Sequence, residues 1–430
     1  MNKSVGENGH LMIGGVDALE LADLYGTPLY VYDVERIRAN ARAFVETFKS
    51  FGVKAQVAYA SKAFSSIAML QVAKQEGLSL DVVSEGELHT ALEAGFPVKR
   101  IHMHGNNKSI PELEMAVKHD IGCIVVDNFH EITLLSHILD EQQRTMDVLL
   151  RVTPGIEAHT HDYILTGQED SKFGFDLSNG QAEEGFLKIR EDKRLRLTGL
   201  HCHIGSQIFE TSGFRLATRK LISALSQWQR NYNFTAEVLN LGGGFGIKYT
   251  DDDDPLEFDQ YAKALIEEVK QQSDHYAYPM PEIWIEPGRA IVGDAGVTLY
   301  SVGSTKDIPG VRRYISVDGG MTDNLRPALY QAQYEAVAAS KMREPATQEV
   351  SIAGKCCESG DMLIWNVALP EVSPGDVIAV FSTGAYGYSM SNNYNRFPRA
   401  AVVFVEHAEH HLVIQRESFQ DLTRLDVSYE

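Results

Sequence analysis

The sequence has few of the residues that mark secreted, membrane-spanning or nucleic-acid-binding proteins. Only four of its 430 residues are cysteine, none is spaced as Cys-x-x-Cys, and no disulfide framework is indicated. The four are Cys123, Cys202, Cys356 and Cys357. No apolar run is long enough to span a bilayer, and the first ten residues lack the apolar region of a signal peptide. A cytoplasmic location is therefore expected, and no membrane partner.

Basic residues are also scarce beside acidic ones. Lys and Arg number 39, Asp and Glu number 59, and the formal charge is −20. Nucleic acids and anionic membranes attract clustered basic residues, so neither is expected as a partner. A small anionic ligand stays possible because a few local arginines can bind one inside an acidic protein. The length suggests two domains, and 44% hydrophobic residues fit a globular protein.

Eight short runs of apolar and β-branched residues alternate with segments of helical pattern. Strands that alternate with helices favour a parallel α/β architecture, and eight strands are typical of a (β/α)8 barrel of about 250 residues. Residues 36–290 have that length, and we predict that they form such a barrel. A doubly wound open sheet is the alternative. The eight predicted strands are Val57–Ala60, Leu80–Ser84, Ile101–His104, Cys123–Asp127, Val148–Val152, Leu197–His203, Val238–Leu241 and Ile283–Glu286.

The remaining sequence reads as strands with few helices between them. We predict a second, mostly β domain built from both chain ends, residues 1–35 and 291–430. Its predicted strands are Leu29–Tyr32, Val297–Val302, Tyr314–Asp318, Glu349–Ala353, Val377–Phe381, Ala400–Val405 and His411–Gln415.

Polar residues and glycines recur where the predicted barrel strands end. In a (β/α)8 barrel the active site lies at the carboxyl ends of the strands. Each residue is a weak signal alone, but their shared position predicts one site. They are Lys62, Asp81, His104, His201, His203, Ser206, Gly242, Gly243, Gly244, Glu286, Pro287, Gly288 and Arg289.

Three consecutive glycines, Gly242–Gly244, follow the seventh predicted strand. Glycine lets backbone N–H groups approach an anion, and phosphate sites in such barrels often follow strands seven and eight. No Gly-Lys-Ser/Thr continuation is present, so a nucleotide P-loop is not indicated. Arg289 would add a positive partner for a phosphate. A tight turn without a ligand is the alternative.

Lys62 and Glu286 each have a functional and an ordinary interpretation. Lys62 lies among small and apolar residues, which would reduce solvation of its ammonium group and favour use as a nucleophile; a surface lysine is the alternative. Glu286 ends an apolar strand and needs a partner, either Arg289 or a protonated pyridine nitrogen. His201 and His203 alternate along their strand and are expected to point to opposite faces, so no metal site is predicted.

Four motifs together resemble the alanine-racemase-like barrels of fold type III pyridoxal-phosphate enzymes. They are Tyr59–Ala63 (YASKA), His201–Gln207 (HCHIGSQ), Leu241–Gly246 (LGGGFG) and Glu286–Arg289 (EPGR). Further motifs make the chain similar to the diaminopimelate decarboxylases within that group. These are His159–Phe175, Leu325–Tyr330 (LRPALY), Cys356–Asp361 (CCESGD) and Gly384–Asn395 (GAYGYSMSNNYN). The resemblance extends from Thr27–Asp33 to Arg396–Ala400, almost the whole chain.

The resemblance implies a pyridoxal 5'-phosphate cofactor and gives residues roles by position. Lys62 would form the Schiff base, His203 would stack on the cofactor ring, and Glu286 would pair with the pyridine nitrogen. Ser206, the three glycines and the Glu286–Arg289 turn would complete the site. The implied cofactor-binding set is Lys62, Asp81, His203, Ser206, Gly242, Gly243, Gly244, Glu286, Pro287, Gly288, Arg289 and Tyr386.

The resemblance also implies how an amino-acid substrate binds. Its distal carboxylate would meet Arg289, Arg326 and Tyr330, its distal ammonium would meet Glu358, and Tyr386 would touch both cofactor and substrate. In the family that the sequence resembles, a second subunit completes each active site.

Cys357 would reach the site from that second subunit, which implies an obligate homodimer with shared active sites. A thiol with a reference pKa of about 8.5 stays protonated at neutral pH, so Cys357 is the candidate proton donor. The alternative is that Cys356 and Cys357 are a pair of small apolar residues.

The implied reaction is decarboxylation of meso-2,6-diaminopimelate to L-lysine and CO2, the last step of lysine biosynthesis. An ornithine- or arginine-like substrate has only a distal cation and would leave Arg326 unpaired. A racemase and a non-catalytic regulatory protein are further alternatives. A non-catalytic protein would not need Lys62, which is present here. One residue departs from the family pattern: Phe64 replaces the usual asparagine, and we expect it to alter local packing only.

Overall fold

The computed structural model describes residues 3–156 and 171–430. They form two compact units. Of the described residues, the barrel unit comprises 40–156, 171–247 and 255–290, and the β-rich unit comprises 3–39, 248–254 and 291–430. Residues 157–170, which include most of the motif predicted at His159–Phe175, lie outside the described residues. In the described part of the chain, no helix has both the length and the apolar character needed to cross a membrane.

The strands, numbered in chain order, are β1 (Ser4–Val5), β2 (Leu11–Ile13), β3 (Val16–Asp17), β4 (Leu29–Asp33), β5 (Ala55–Ala60), β6 (Ser79–Val82), β7 (Ile101–Met103), β8 (Cys123–Val126), β9 (Met146–Thr153), β10 (Phe175–Asp176), β11 (Leu195–His201), β12 (Val238–Asn240), β13 (Glu282–Ile285), β14 (Gly296–Ile308), β15 (Arg312–Val317), β16 (Ala336–Ala338), β17 (Gln348–Ala353), β18 (Met362–Leu369), β19 (Val377–Phe381), β20 (Ala401–Glu406) and β21 (Glu409–Ile414).

The helices are α1 (Ala18–Tyr25), α2 (Val34–Ser50), α3 (Ile67–Gln75), α4 (Glu85–Glu93), α5 (Ile110–Lys118), α6 (Phe129–Glu141), α7 (Gln181–Glu191), α8 (Ser212–Tyr232), α9 (Phe258–Tyr276), α10 (Arg289–Val292), α11 (Arg326–Tyr330) and α12 (Phe419–Thr423). Several barrel helices begin at a side-chain cap that directly follows a strand or its loop. Ser66, Ser84 and Ser109 each accept a backbone N–H of the first turn.

Eight parallel strands close on themselves in the barrel unit. The order is β5-β6-β7-β8-β9-β11-β12-β13, and β13 pairs with β5 through Ile283 and Ala55. The pairing of β8 with β9, through Ile124 and Val148, completes the ring. The predicted (β/α)8 barrel is therefore confirmed, and the open-sheet alternative is wrong. All eight predicted strands are present, with ends that differ by at most two residues.

The β-rich unit is organised around β14, the longest of the described strands. Its first half pairs with β4 on one side and β19 on the other, and its second half pairs with β15. The sheet continues as β18-β17-β15-β14-β4-β20-β21, so residues near both chain ends share it. This confirms the predicted second, mostly β domain. The sequence prediction missed β1–β3, β16 and β18.

Candidate active site

Lys62 lies in a short 3-10 turn, Ser61–Ala63, that directly follows β5. Ser61 and Ala63 are fully buried, and the Ser61 hydroxyl donates to the backbone oxygen of Asp81 over 2.6 Å. The Lys62 side chain, in contrast, is exposed. The exposed side chain fits the alternative of a surface lysine, and reduced solvation of the ammonium group stays a prediction. Ser61 and Ala63 anchor the turn and present the lysine at the carboxyl end of the strand.

Glu286 directly follows β13, and each of its carboxylate oxygens has a close partner. The Asn240 amide donates to Oε1 over 2.6 Å, and His201 Nε2 lies 3.1 Å from Oε2. His104 Nε2 lies 3.4 Å from Oε1. Burial raises the pKa of Glu286, but His201 and His104 outweigh it and hold the pKa well below its usual range. Glu286 is consequently ionised at neutral pH.

His201 and His203 do not point to opposite faces. The expectation above is wrong, because residues two apart on a strand share a face, and because β11 ends at His201 and His203 lies beyond it. His201 contacts Glu286 directly, and His203 is close enough to help lower the pKa of Glu286. His104, His201 and Glu286 also bring three potential ligand atoms within 4.8 Å of one another, so the absence of a metal stays a prediction.

His203 is half-buried beside the glycine turn, and its Nδ1 accepts the Gly243 N–H over 3.2 Å. Burial lowers the pKa of His203 well below its usual value, and the nearby Lys62 cation lowers it further. The imidazole is therefore neutral at physiological pH. A neutral, planar ring at this position is suited to stack on a flat aromatic ligand.

The turn Gly242–Gly244 brings three backbone segments close together. Gly242 and Gly244 have φ values of +68° and +106°, which favour glycine. A Cβ atom on Gly243 would lie 2.1 Å from the Glu286 carbonyl oxygen, and one on Gly244 would lie 2.3 Å from that of Gly205. Only glycine permits this approach of the β11, β12 and β13 ends.

Arg289, like Glu286, follows β13, and its side chain contacts a residue that follows β11. Its Nη2 donates to the Ser206 hydroxyl over 2.9 Å, and the side chain is only 7% exposed. A guanidinium, a hydroxyl and the glycine turn thus lie at neighbouring strand ends, which is the donor set that a phosphate requires.

Comparison with known proteins agrees with this chemistry. Residues 34–293 match the pyridoxal-binding domain of the pyridoxal-dependent decarboxylases. Diaminopimelate decarboxylase from Bacillus subtilis strain 168 is 63% identical over 424 residues, covering 99% of this chain and 97% of that protein. The Bacillus methanolicus enzyme of the same name is 64% identical over 413 residues, covering 96% of each.

A solved structure extends the likeness to three dimensions. Diaminopimelate decarboxylase from M. jannaschii, in co-complex with L-lysine, has a TM-score of 0.94 and 36% identity, covering 99% of this chain and 98% of that one. The chain belongs to the diaminopimelate decarboxylase family. The cofactor of this pyridoxal-dependent family fits the barrel ends described above, because they combine a lysine, an ionised buried carboxylate, a neutral imidazole and a phosphate-type donor set.

Two further residues named in the sequence analysis, Asp81 and Phe64, are both buried in the barrel unit. Asp81 Oδ1 lies 3.3 Å from His102 Nδ1 and 3.4 Å from His104 Nε2, which places Asp81 beside the histidine that approaches Glu286. Phe64 is fully buried, and its backbone oxygen accepts the Tyr59 hydroxyl over 2.8 Å. Phe64, which replaces the asparagine usual in the family, is thus a core residue.

Arg326 begins α11 in the β-rich unit and is 9% exposed. Its Nη1 donates to the Tyr334 hydroxyl over 2.6 Å, and its guanidinium lies 5.0 Å from the centre of the Tyr249 ring. These two tyrosines and Tyr386 act electrostatically on Arg326. Tyr330, at the other end of α11, is 37% exposed. The predicted substrate residues Arg326 and Tyr386 are therefore neighbours.

The two adjacent cysteines of the β-rich unit have different environments. Cys356 is buried, and burial raises the pKa of its thiol to about 12. Cys357 is exposed, as is Glu358. The interpretation of this pair as small apolar residues therefore suits Cys356 and not Cys357.

Sequence reasoning missed several residues that shape the site. The Asn240 amide donates to Glu286, and Asn240 lies at the end of β12, two residues before the glycine turn, so its position is a usable signal. Glu87 accepts the Val83 N–H over 2.7 Å, and burial raises the pKa of Glu87 while the nearby Lys62 cation opposes that rise. Arg151 lies over the Phe173 ring at 4.3 Å and acts on Glu286 electrostatically. Neither Glu87 nor Arg151 belongs to a motif that marks it.

Asp323, three residues before Arg326, is expected to make the stability of the protein depend on pH. Its side chain is buried, and burial raises its pKa to about 7, although the Gly320 N–H donates to its Oδ2 over 3.0 Å. From pH 4 to 7 the unfolded chain releases this proton and the folded chain keeps it, so rising pH lowers stability by on the order of a few kcal/mol. Asp323→Asn, which imitates the neutral form, is expected to raise Tm relative to the parent at pH 8 and not at pH 4.

Thermal unfolding of both proteins at the two pH values measures this difference. Asp252→Asn in the same unit is the matched control, because Asp252 is exposed. An equal Tm difference at pH 4 and pH 8 for Asp323→Asn would contradict the buried, protonated carboxyl.

Proposed function

We propose that this protein removes CO2 from the D-centre of meso-2,6-diaminopimelate and releases L-lysine, the last step of lysine biosynthesis. The observation that carries the proposal is the 63% identity with a diaminopimelate decarboxylase over 99% of the chain. The barrel ends supply the matching chemistry, since Glu286 is held ionised and His203 neutral.

Residues of the barrel unit hold the cofactor in this proposal. Lys62 would bind it covalently, Glu286 would pair with the pyridine nitrogen, and His203 would stack on the ring. Ser206, Arg289 and the turn Gly242–Gly244 would bind the phosphate, and Asp81, Pro287 and Gly288 would complete the contacts of the barrel unit. Tyr386, which belongs to the β-rich unit, would add a further contact. Bound pyridoxal phosphate supplies an electron sink for the electron pair that CO2 leaves behind. The ionised Glu286 keeps the ring nitrogen protonated and so maintains that sink.

Substrate choice follows from charge. The distal end of diaminopimelate carries a carboxylate and an ammonium group. Arg326, with Arg289 and Tyr330, binds the carboxylate, and Glu358 binds the ammonium. Tyr386 contacts the substrate beside Arg326. Arg326 is buried and already oriented by Tyr334, so a substrate without a distal carboxylate leaves this cation without its anionic partner.

Cys357 protonates the carbon that has lost CO2. The carbon–carboxylate bond breaks, its electron pair returns to that carbon, and the Cys357 thiol gives the carbon its proton; the resulting thiolate regains a proton from water. In this proposal the exposed Cys357 and Glu358 enter the active site of a second copy of the chain, so the enzyme is a homodimer with shared sites. The four free thiols suit a reducing cytoplasm.

The proposal is tested by incubating the holoenzyme with meso-diaminopimelate and measuring CO2 and amino-acid products. L-lysine and CO2 are expected in a one-to-one ratio. A change of configuration at the substrate without CO2 release would instead assign a racemase, and no reaction with bound cofactor would overturn the proposed activity.

A further inference from the structure

The loop that carries Cys357 is held by side chains on both sides of it. The Cys357 N–H donates to Asn395 Oδ1 over 2.9 Å, and the preceding Cys356 N–H donates to Asp361 Oδ2 over 2.8 Å. Asp361 Oδ1 also accepts the Met321 N–H over 2.6 Å. Two consecutive backbone amides are thus fixed by side-chain oxygens, although Cys357 itself is exposed.

Asn395 adopts an uncommon backbone conformation to make its contact. Its φ and ψ are +52° and +21°, and Arg396 follows with φ of +59°. Left-handed conformations cost free energy for residues other than glycine, and asparagine tolerates them better than most. Two consecutive residues of this kind persist only where surrounding contacts hold them.

The C-terminal residues supply those contacts. Arg396 donates to the Leu422 carbonyl oxygen over 2.6 Å and to Asp426 over 2.7 Å. Glu417 accepts the Asn393 side-chain amide over 2.6 Å and the Arg399 N–H over 2.9 Å. The segment 393–399 is therefore joined at both ends to residues 417–426. We call residues 393–399 the platform.

A second contact connects the platform with the cysteine loop. The ammonium group of Lys355, directly before Cys356, lies 4.5 Å from the centre of the Phe397 ring. The platform thus touches the loop on both sides of Cys356. Two points of contact fix the orientation of the loop relative to the platform, which a single contact would not do.

We propose that Asn395 is a positioning residue for Cys357, and that the C-terminal residues 417–426 hold it in place. Its carboxamide oxygen fixes the Cys357 N–H, and thereby the direction in which the thiol leaves the backbone. The inference rests on the proposed role of Cys357 as proton donor. It adds a residue 38 positions further along the chain, and it gives the C-terminal segment a part in the reaction.

The test is a double-mutant cycle in the holoenzyme. Asn395→Gly removes the acceptor but keeps the left-handed backbone, and Asn395→Asp keeps both acceptor and backbone. We expect Asn395→Gly to lower kcat roughly tenfold and Asn395→Asp to lower it less than about twofold. In a Cys357→Ala background, Asn395→Gly is expected to change kcat by less than about twofold, because there is no thiol left to direct.

The outcomes separate this inference from the proposed function. A further tenfold loss in the Cys357→Ala background, or a loss with Asn395→Asp as large as with Asn395→Gly, would show that Asn395 acts otherwise and would leave Cys357 as the donor. Full kcat in Cys357→Ala alone would overturn the donor role and this inference together. Thermal unfolding and cofactor absorbance check each variant, and Asn395→Ala replaces Asn395→Gly in the cycle if the latter does not fold.

Discussion

Lys62→Ala is expected to lower kcat for diaminopimelate decarboxylation by roughly 10⁴-fold or more. The lysine is presented at the end of β5 by a turn whose other residues are buried, so its removal leaves that turn in place. The carboxylate of Glu286 and the donors Ser206 and Arg289 also remain. The variant should therefore still bind pyridoxal phosphate, but without a covalent bond.

Two measurements on the same samples check this expectation. CO2 release gives the activity, and borohydride reduction followed by peptide mass analysis locates the covalently bound cofactor. The parent should carry it on the peptide with Lys62, and the variant should carry none. Lys54→Ala is the matched control, since Lys54 is an exposed lysine near the start of the same strand. Cofactor attached to another lysine in the parent would contradict the assignment.

Mixing two inactive variants, Lys62→Ala and Cys357→Ala, is expected to restore activity. Cys357→Ala alone should lose about a hundredfold in kcat, because a positioned general acid is missing. If each site joins Lys62 of one subunit to Cys357 of the other, a mixed dimer contains one intact site. Random exchange at equal amounts then yields about a quarter of the parental activity, because half of the dimers are mixed.

The control for this experiment is each variant carried alone through the same exchange procedure. A mixture no more active than the sum of its components, with exchange demonstrated by differently tagged subunits, would show that Lys62 and Cys357 of one chain serve the same site. The exposed position of Cys357 and Glu358 supports the shared arrangement that we propose.

The barrel was predictable because its strands are short apolar runs separated by helix-length segments. Parallel strands are buried on both faces, so each one reads as a nearly continuous apolar run. The position of Lys62, the glycine turn and Glu286 at strand ends followed from the same periodicity. In the β-rich unit the strands β16 and β18 were missed. β18 runs Met362–Leu369 but has exposed residues at its centre, including Trp365, so its pattern does not read as a buried strand.

The partners of the site residues were harder to predict than their positions. Glu286 bonds Asn240 and His201, which lie 46 and 85 residues away in the chain, and only closure of the barrel brings them together. The apolar neighbours of Lys62 leave open whether the lysine itself is buried; in the structure Ser61 and Ala63 are buried and Lys62 is exposed. Asn395 could not have been linked to Cys357, since its side-chain oxygen reaches the Cys357 N–H from an irregular backbone conformation that local sequence does not encode.

The central claim, that the enzyme acts on a substrate with a zwitterionic distal end, is tested most directly by comparing kcat/KM for meso-diaminopimelate, ornithine, arginine and lysine. With Arg326 buried and oriented, diaminopimelate is expected to exceed each of the others by at least about a hundredfold. Equal or higher kcat/KM for ornithine would contradict the claim.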